Sequence, residues 1–171
     1  DNPLTQQGVN LGRHLFWDKK LSGNNTISCA NCHSPQNAFT DPNTFSTGIH
    51  GDLGTRNSMV LQNLAWSKDF FWDGRAISLE NQILVTIIDS TEMDETWANF
   101  LSEIRYDNNY RNMFFEAFET LEPDSVHAAK AIAQFLRTMV STNSKYDKFL
   151  RNEAVLSPEE NAGLSLSLIH I

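Results

Sequence analysis

Apolar residues recur three and four positions apart along nearly the whole chain, and no sustained apolar–polar alternation appears. That period belongs to helices with one buried face and not to strands, so it predicts an all-α fold. A first helix is expected over residues 5–17, with Leu11 and Leu15 one turn apart. Ser58 reads as the N-cap of a short helix through Met59, Leu61 and Leu64. Ser78 reads as the start of another through Leu79, Ile83 and Ile87. Trp97, Phe100, Leu101 and Ile104 share one face of a helix over about 94–104. Tyr110, Met113, Phe114, Ala117 and Phe118 mark the next. Pro123 opens the longest, with Val126, Ala129, Ala133, Leu136 and Met139 inward. Ser157-Pro158-Glu159-Glu160 has the form of a capping box and opens one more. These stripes are core positions by default.

Two stretches break the pattern. Residues 18–28 are polar, and residues 34–56 are rich in Gly, Pro, Asn, Ser and Thr. A loop as long as the second is uncommon unless it has a function, and wrapping a bound group is one. The 171 residues, 40% hydrophobic with 11 Phe, suffice for a domain with a real core. A net charge of −8 makes nucleic acid an unsuitable partner. It suits a basic partner such as a small electron carrier, and equally serves solubility alone. No apolar run reaches membrane-spanning length.

The chemistry concentrates at Cys29-Ala30-Asn31-Cys32-His33. This is C-x-x-C-H, the attachment pattern of a c-type haem. Two thiols at this spacing each add to one vinyl group of a porphyrin, and the histidine that follows lies under the iron as its proximal ligand. A zinc site needs further Cys or His ligands, and no second Cys pair exists. A thioredoxin-like motif needs a strand–turn–helix setting, whereas Ser28 and Ser34-Pro35 read as loop. An ordinary disulfide is the remaining alternative. Covalent haem is attached outside the bacterial cytoplasmic membrane, so the motif places the protein in the periplasm. The chain begins at Asp1, as a mature form or a fragment would.

The ordered landmarks resemble the bacterial di-haem cytochrome c peroxidases of the wider MauG-like family. They are residues 11–16 (Leu-Gly-Arg-His-Leu-Phe), Leu21-Ser22, Ser28 through His33, Ala38-Phe39-Thr40-Asp41, Arg56-Asn57-Ser58, Phe71-Trp72-Asp73-Gly74-Arg75-Ala76, Leu79, Gln82, Glu92-Met93, Ser144 and Tyr146-Asp147. The resemblance runs from about residue 2 to 163 and covers only the N-terminal half of such enzymes. It implies a cytochrome c-like fold with long haem-wrapping loops over residues 1–165, holding the peroxidatic haem. A second domain, with the electron-accepting haem, would start near residues 156–165 and follow. Residues 166–171 match translated sequencing-adapter sequence, so His170 is set aside as a ligand.

The resemblance also assigns roles. Glu92 corresponds to the family's catalytic glutamate, which moves a proton between the peroxide oxygens. As a plain sequence feature, it is an acid favouring a helix N-terminus. Gln82 falls on the inward stripe of its helix and is assigned to the distal pocket. Trp72 corresponds to the tryptophan between the two haems that assists electron transfer; aromatic packing with Trp66, Phe70 and Phe71 is compatible with that. His50, in the loop before Arg56-Asn57, aligns across a one-residue gap with a distal histidine that leaves before peroxide binds; Met59 and Met93 are alternative ligands. Asn57 matches a contributor to an inter-domain calcium site, and Arg75 a structural or propionate-binding arginine. Thr86-Ile87 stands where the family has Pro-Ile, which loosens the backbone leading to Glu92.

The function implied is reduction of hydrogen peroxide to water, with electrons from a small cytochrome c or cupredoxin, in a protein that is a homodimer at full length. The alternatives are MauG-type oxidation of a partner protein and a mono-haem electron-transfer cytochrome.

Overall fold

The computed structural model describes residues 1–169. Among them there are eight α-helices and no strands, only three isolated bridges inside loops. The chain divides into two compact units, Asp1–Met139 and one from Val140 onward.

The first unit is framed by α1 (Gln6–Trp17), α5 (Asn108–Phe118) and α6 (Ser125–Arg137). Thr5 caps α1 by accepting the Gly8 N–H at 3.0 Å. The helix buries Leu11, Leu15 and Phe16 almost completely. Each such side chain contributes roughly 1.5–3 kcal/mol. α6 answers with fully buried Ala128, Ala129, Ala131 and Ala133. Small residues let the two backbones approach closely: a Cβ on Gly12 would stand 1.9 Å from the Ala131 carbonyl oxygen. Gln134, 2% exposed, accepts the Thr5 N–H at 2.9 Å and donates to Asn2 at 2.9 Å. Asn2 in turn donates to Glu80 at 2.7 Å, and Arg137 grips Glu80 with two bonds of 2.6 and 3.0 Å. This network ties the segment before α1, the helix carrying Glu80 and α6 together.

That helix, α3 (Leu79–Ile88), starts at Ser78 as expected, the Ser78 hydroxyl accepting the Asn81 N–H at 3.0 Å. α4 (Trp97–Ile104) starts later than the apolar stripe suggested. Asp94 has a left-handed φ of 43°, and the buried Glu95 carboxylate accepts the Thr96 N–H, so Thr96 becomes the cap. α5 is capped by Asp107, and its buried Tyr110 donates its hydroxyl to Asp18.

Three expectations fail. No helix follows Ser58; only a 3₁₀ turn, Leu64–Trp66, lies in that stretch. The Ser58 hydroxyl is bonded to Ser46 at 2.6 Å and its carbonyl to Thr40, so neither serves a helix start. Val126 is 44% exposed, because the buried face of α6 begins at Ala128. Met139 lies beyond the end of α6 at Arg137 and packs on the core from there.

The second unit holds α7 (Lys145–Leu150) and α8 (Pro158–Leu168), each opened by a capping box, at Ser144 and at Ser157. α8 buries none of its residues and continues through Leu166 into the stretch read as adapter sequence. His170 and Ile171 lie outside the described residues.

Candidate functional site

A cavity of about 460 Å³ opens in the first unit, within the range typical of small-molecule and cofactor sites. Cys29, Cys32 and His33 line it, together with Gln82, Glu92, Trp72 and Asn57. Distant stretches of sequence thus converge on one space.

The thiols come from α2 (Cys29–Cys32), a single turn. Asn31 fastens its start by accepting the Ser28 N–H at 2.9 Å, and His33 N–H closes it on the Cys29 carbonyl at 2.9 Å. Residues three apart on a helix share a face, so both sulfurs point to the same side. The two sulfurs are not bonded to each other. Burial, with Cys32 adjacent, pushes the Cys29 thiol up to about 12.

The His33 ring stands with Nδ1 3.1 Å from the Phe39 carbonyl oxygen. A carbonyl only accepts, so Nδ1 carries the proton and Nε2 the lone pair that a metal requires. The chain reaches this position through two successive left-handed residues, Ala38 (φ 55°) and Phe39 (φ 58°). Each costs about 1–2 kcal/mol in a residue with a side chain. Burial lowers the imidazole's pKa, outweighing the Phe39 and Met59 carbonyls that oppose it, and so favours the neutral, ligating form. Two thiols, a neutral imidazole with a fixed tautomer and a largely apolar cavity fit a covalently attached haem. Cys29 and Cys32 would hold the porphyrin and His33 its iron.

α3 turns Leu79, Gln82, Ile83, Thr86 and Ile87 toward the cavity, one continuous stripe with two polar members. Thr86 occupies a helical position, within α3. Glu92 comes from the turn that follows. Asp89 Oδ1 accepts the Thr91 N–H at 2.8 Å, and the Asp89 carbonyl accepts those of Glu92 at 3.0 Å and Asp94 at 2.9 Å. Glu92 therefore precedes the Thr96 cap and is no part of the first turn of α4. Burial and the nearby Asp89 charge push its carboxyl up to about 6, with Arg75 opposing.

Trp72 sits at the rim, 61% exposed, with its indole N–H donated to the Asn57 carbonyl at 2.8 Å. Asn57 itself is a strut. Its amide donates to the Asn43 carbonyl at 2.7 Å, and its Oδ1 accepts from Thr40 at 3.2 Å. Among the described residues no group of three or more His, Cys, Asp or Glu is arranged to hold a metal ion. His50 is not in the cavity wall; its Nε2 is 2.7 Å from an Asp94 carboxylate oxygen at the surface. Met59 and Met93 both line the cavity.

The sequence reading passed over one cluster at the rim. Asp73 lies between two arginines, 2.8 Å from Arg56 and 3.0 Å from Arg75. Arg75 also stacks on Phe71, 3.5 Å from the ring centre. Partial burial tends to raise the Asp73 pKa, but hydrogen bonds from Arg75 and Arg56 hold it below the usual value. All three residues sit in the family landmarks, yet nothing in their spacing announces a shared ion pair.

Residues 6–155 match the di-haem cytochrome c peroxidase family. The methylamine utilization protein MauG of Methylorubrum extorquens is 35% identical over 167 residues, covering 96% of this chain and 47% of its own length. The cytochrome c551 peroxidase of Nitrosomonas europaea is 34% identical over 165 residues, covering 96% and 49%. A solved MauG-like protein associated with microbial copper homeostasis superposes with a TM-score of 0.88 at 36% identity, over 97% of this chain and 50% of that one. The chain spans about half the length of the curated relatives it matches.

Proposed function

Because the chain belongs to the di-haem cytochrome c peroxidase family, we propose that it forms the haem domain in which a periplasmic enzyme reduces hydrogen peroxide to water. The haem held by Cys29, Cys32 and His33 supplies the redox centre. Glu92 takes a proton from one peroxide oxygen and returns it to the other, which leaves as water when the oxygen–oxygen bond breaks. Two electrons and two further protons complete the conversion of one peroxide to two waters. Gln82, which lines the same cavity, donates an amide hydrogen bond that orients the peroxide. The electrons come from a small cytochrome c or cupredoxin. They pass through a second haem, carried in the part of the relatives this chain does not span, and past Trp72. The full-length protein is read as a homodimer, with Asn57 contributing to calcium between its domains.

Glu92 carries this reading. It faces the same cavity as His33, and its carboxyl lies near 6, where it both accepts and releases a proton at neutral pH. Replacing Glu92 by Gln in the haem-loaded full-length protein is expected to slow peroxide turnover about 10²–10⁴-fold with the haem absorption intact. Unchanged turnover would remove Glu92 as the proton carrier, and no turnover in the parent protein would leave a plain electron carrier as the better description.

A second reading, MauG-type oxidation of a partner protein, draws on the exposure of Trp72 at the rim and on the MauG relatives. Oxidised residues on a partner, formed with peroxide and without a small electron donor, would favour it.

A further inference from the structure

The turn that carries Glu92 is clamped between two other segments. On one side the Gly23 N–H donates to the Met93 carbonyl at 2.9 Å, and a Cβ on Gly23 would stand 2.2 Å from the Asp94 carbonyl oxygen. On the other side the Ile49 N–H donates to the carbonyl of Glu92 itself at 3.1 Å. Gly48 makes that approach feasible, since a Cβ there would lie 2.2 Å from the Thr91 carbonyl oxygen. The two flanking segments are joined by Asn24, which donates to the Ile49 carbonyl at 3.3 Å. The segment around Gly48 is folded on itself by the bridge between Thr47 and Leu53. His50, the next residue along, adds a side-chain bond to this clamp, at 2.7 Å from the carboxylate of Asp94. Asp94 has a left-handed φ of 43°, a conformation that a nearby side-chain partner helps to hold.

We propose that His50 is a positioning residue: bonded to Asp94, it braces the turn that presents Glu92 to the cavity, and it is not a ligand of the iron. The peroxide side of the haem then needs no departure of this histidine before it can work. The role in turnover rests on Glu92 being the proton carrier; the brace itself does not.

The test compares His50→Ala with His50→Gln, which keeps a donor, in the haem-loaded full-length protein. His50 is at the surface, so both variants retain the fold. His50→Ala is expected to lower kcat for peroxide about tenfold with KM unchanged, as misplacement of a proton-transfer group does, and His50→Gln to restore most of it. Amide exchange over residues 89–94 is expected to quicken about tenfold in His50→Ala and not in His50→Gln. The electron paramagnetic resonance signal of the ferric haem on His33 stays as in the parent. A low-spin signal turning high-spin in His50→Ala would identify His50 as a ligand and overturn the proposal. Unchanged exchange would overturn the brace. If Glu92→Gln leaves turnover intact, the catalytic reading fails, and the exchange measurement still decides on the brace.

Discussion

The cavity has two walls built by different means. One is the face of α3, where Gln82 and Thr86 ride on a helix set by the Ser78 cap and fastened to α6 through the Glu80–Arg137 pair. The other is loop: residues 46–59, 71–75 and 89–93 bring Asn57, Trp72, Arg75 and Glu92 on backbone with almost no repeating structure. Along α3 each residue is held by local hydrogen bonds that any helix-compatible side chain preserves. In the loop wall, order comes from a few side chains that bond distant backbone, such as Asn57 to Asn43 and Thr40 to Ser58. Each of those is irreplaceable in kind, because its partner is fixed by tertiary position and not by register.

The sharpest test of the cavity that both walls enclose is at α2. Replacing both Cys29 and Cys32 by Ala is expected to abolish covalent haem, read as loss of the haem-stained band on a denaturing gel. A band that survives would break the assignment of the whole cavity.

Glu92 offers a graded test. Its carboxyl is raised from 4.5 to about 6 in the folded protein, so the fold keeps a proton that the unfolded chain releases in that window. Stability therefore falls as pH rises from 4.5 to 6, and the penalty is complete above it. Asp89 contributes to the shift and Arg75 opposes it. In Glu92→Gln the gain in melting temperature over the parent should grow across this window and then level off. A gain that does not vary with pH would place Glu92 in water.

The helical frame is tested at Gly12. A Cβ there meets the Ala131 carbonyl, so Gly12→Ala should cost about 1–3 kcal/mol, seen as a lower denaturant midpoint. Smallest is Thr40→Val, which removes the bonds to Asn57 and Ser58 and should cost about 1 kcal/mol. Its effect should show as faster amide exchange within 40–58, whereas Gly12→Ala lowers protection throughout the unit. The same exchange pattern in both variants would erase the distinction between frame and loop wall.

The same division explains what could be read before folding. The helices followed from apolar spacing because their burial is a local matter of period: α1, α3 and α5 lie where Leu11, Ile83 and Phe114 suggested. The absent helix after Ser58 shows the limit. Its apolar positions 59, 61 and 64 match a helix only loosely, and the serine was taken up by Ser46 and Thr40, contacts without any sequence signature. At the site, C-x-x-C-H was legible because the chemistry demands adjacent residues. The joint placement of Glu92, Gln82 and Trp72 on one cavity came from the family landmarks, since no period links them. The Arg56–Asp73 and His50–Asp94 bonds join residues far apart in the chain, and only the folded structure displays them.

The left-handed pair Ala38–Phe39 has a consequence for how firmly the iron ligand is seated. Glycine would adopt both conformations without penalty, but it would also leave them as easily. With side chains at both positions, the loop behind the imidazole, closed by the Ser34–Thr40 bridge, becomes a stiff bearing: costly to shape, and slow to swivel once shaped. Ala38→Gly should ease folding while letting the ring of His33 rock, broadening the spectral signature of the coordinated iron.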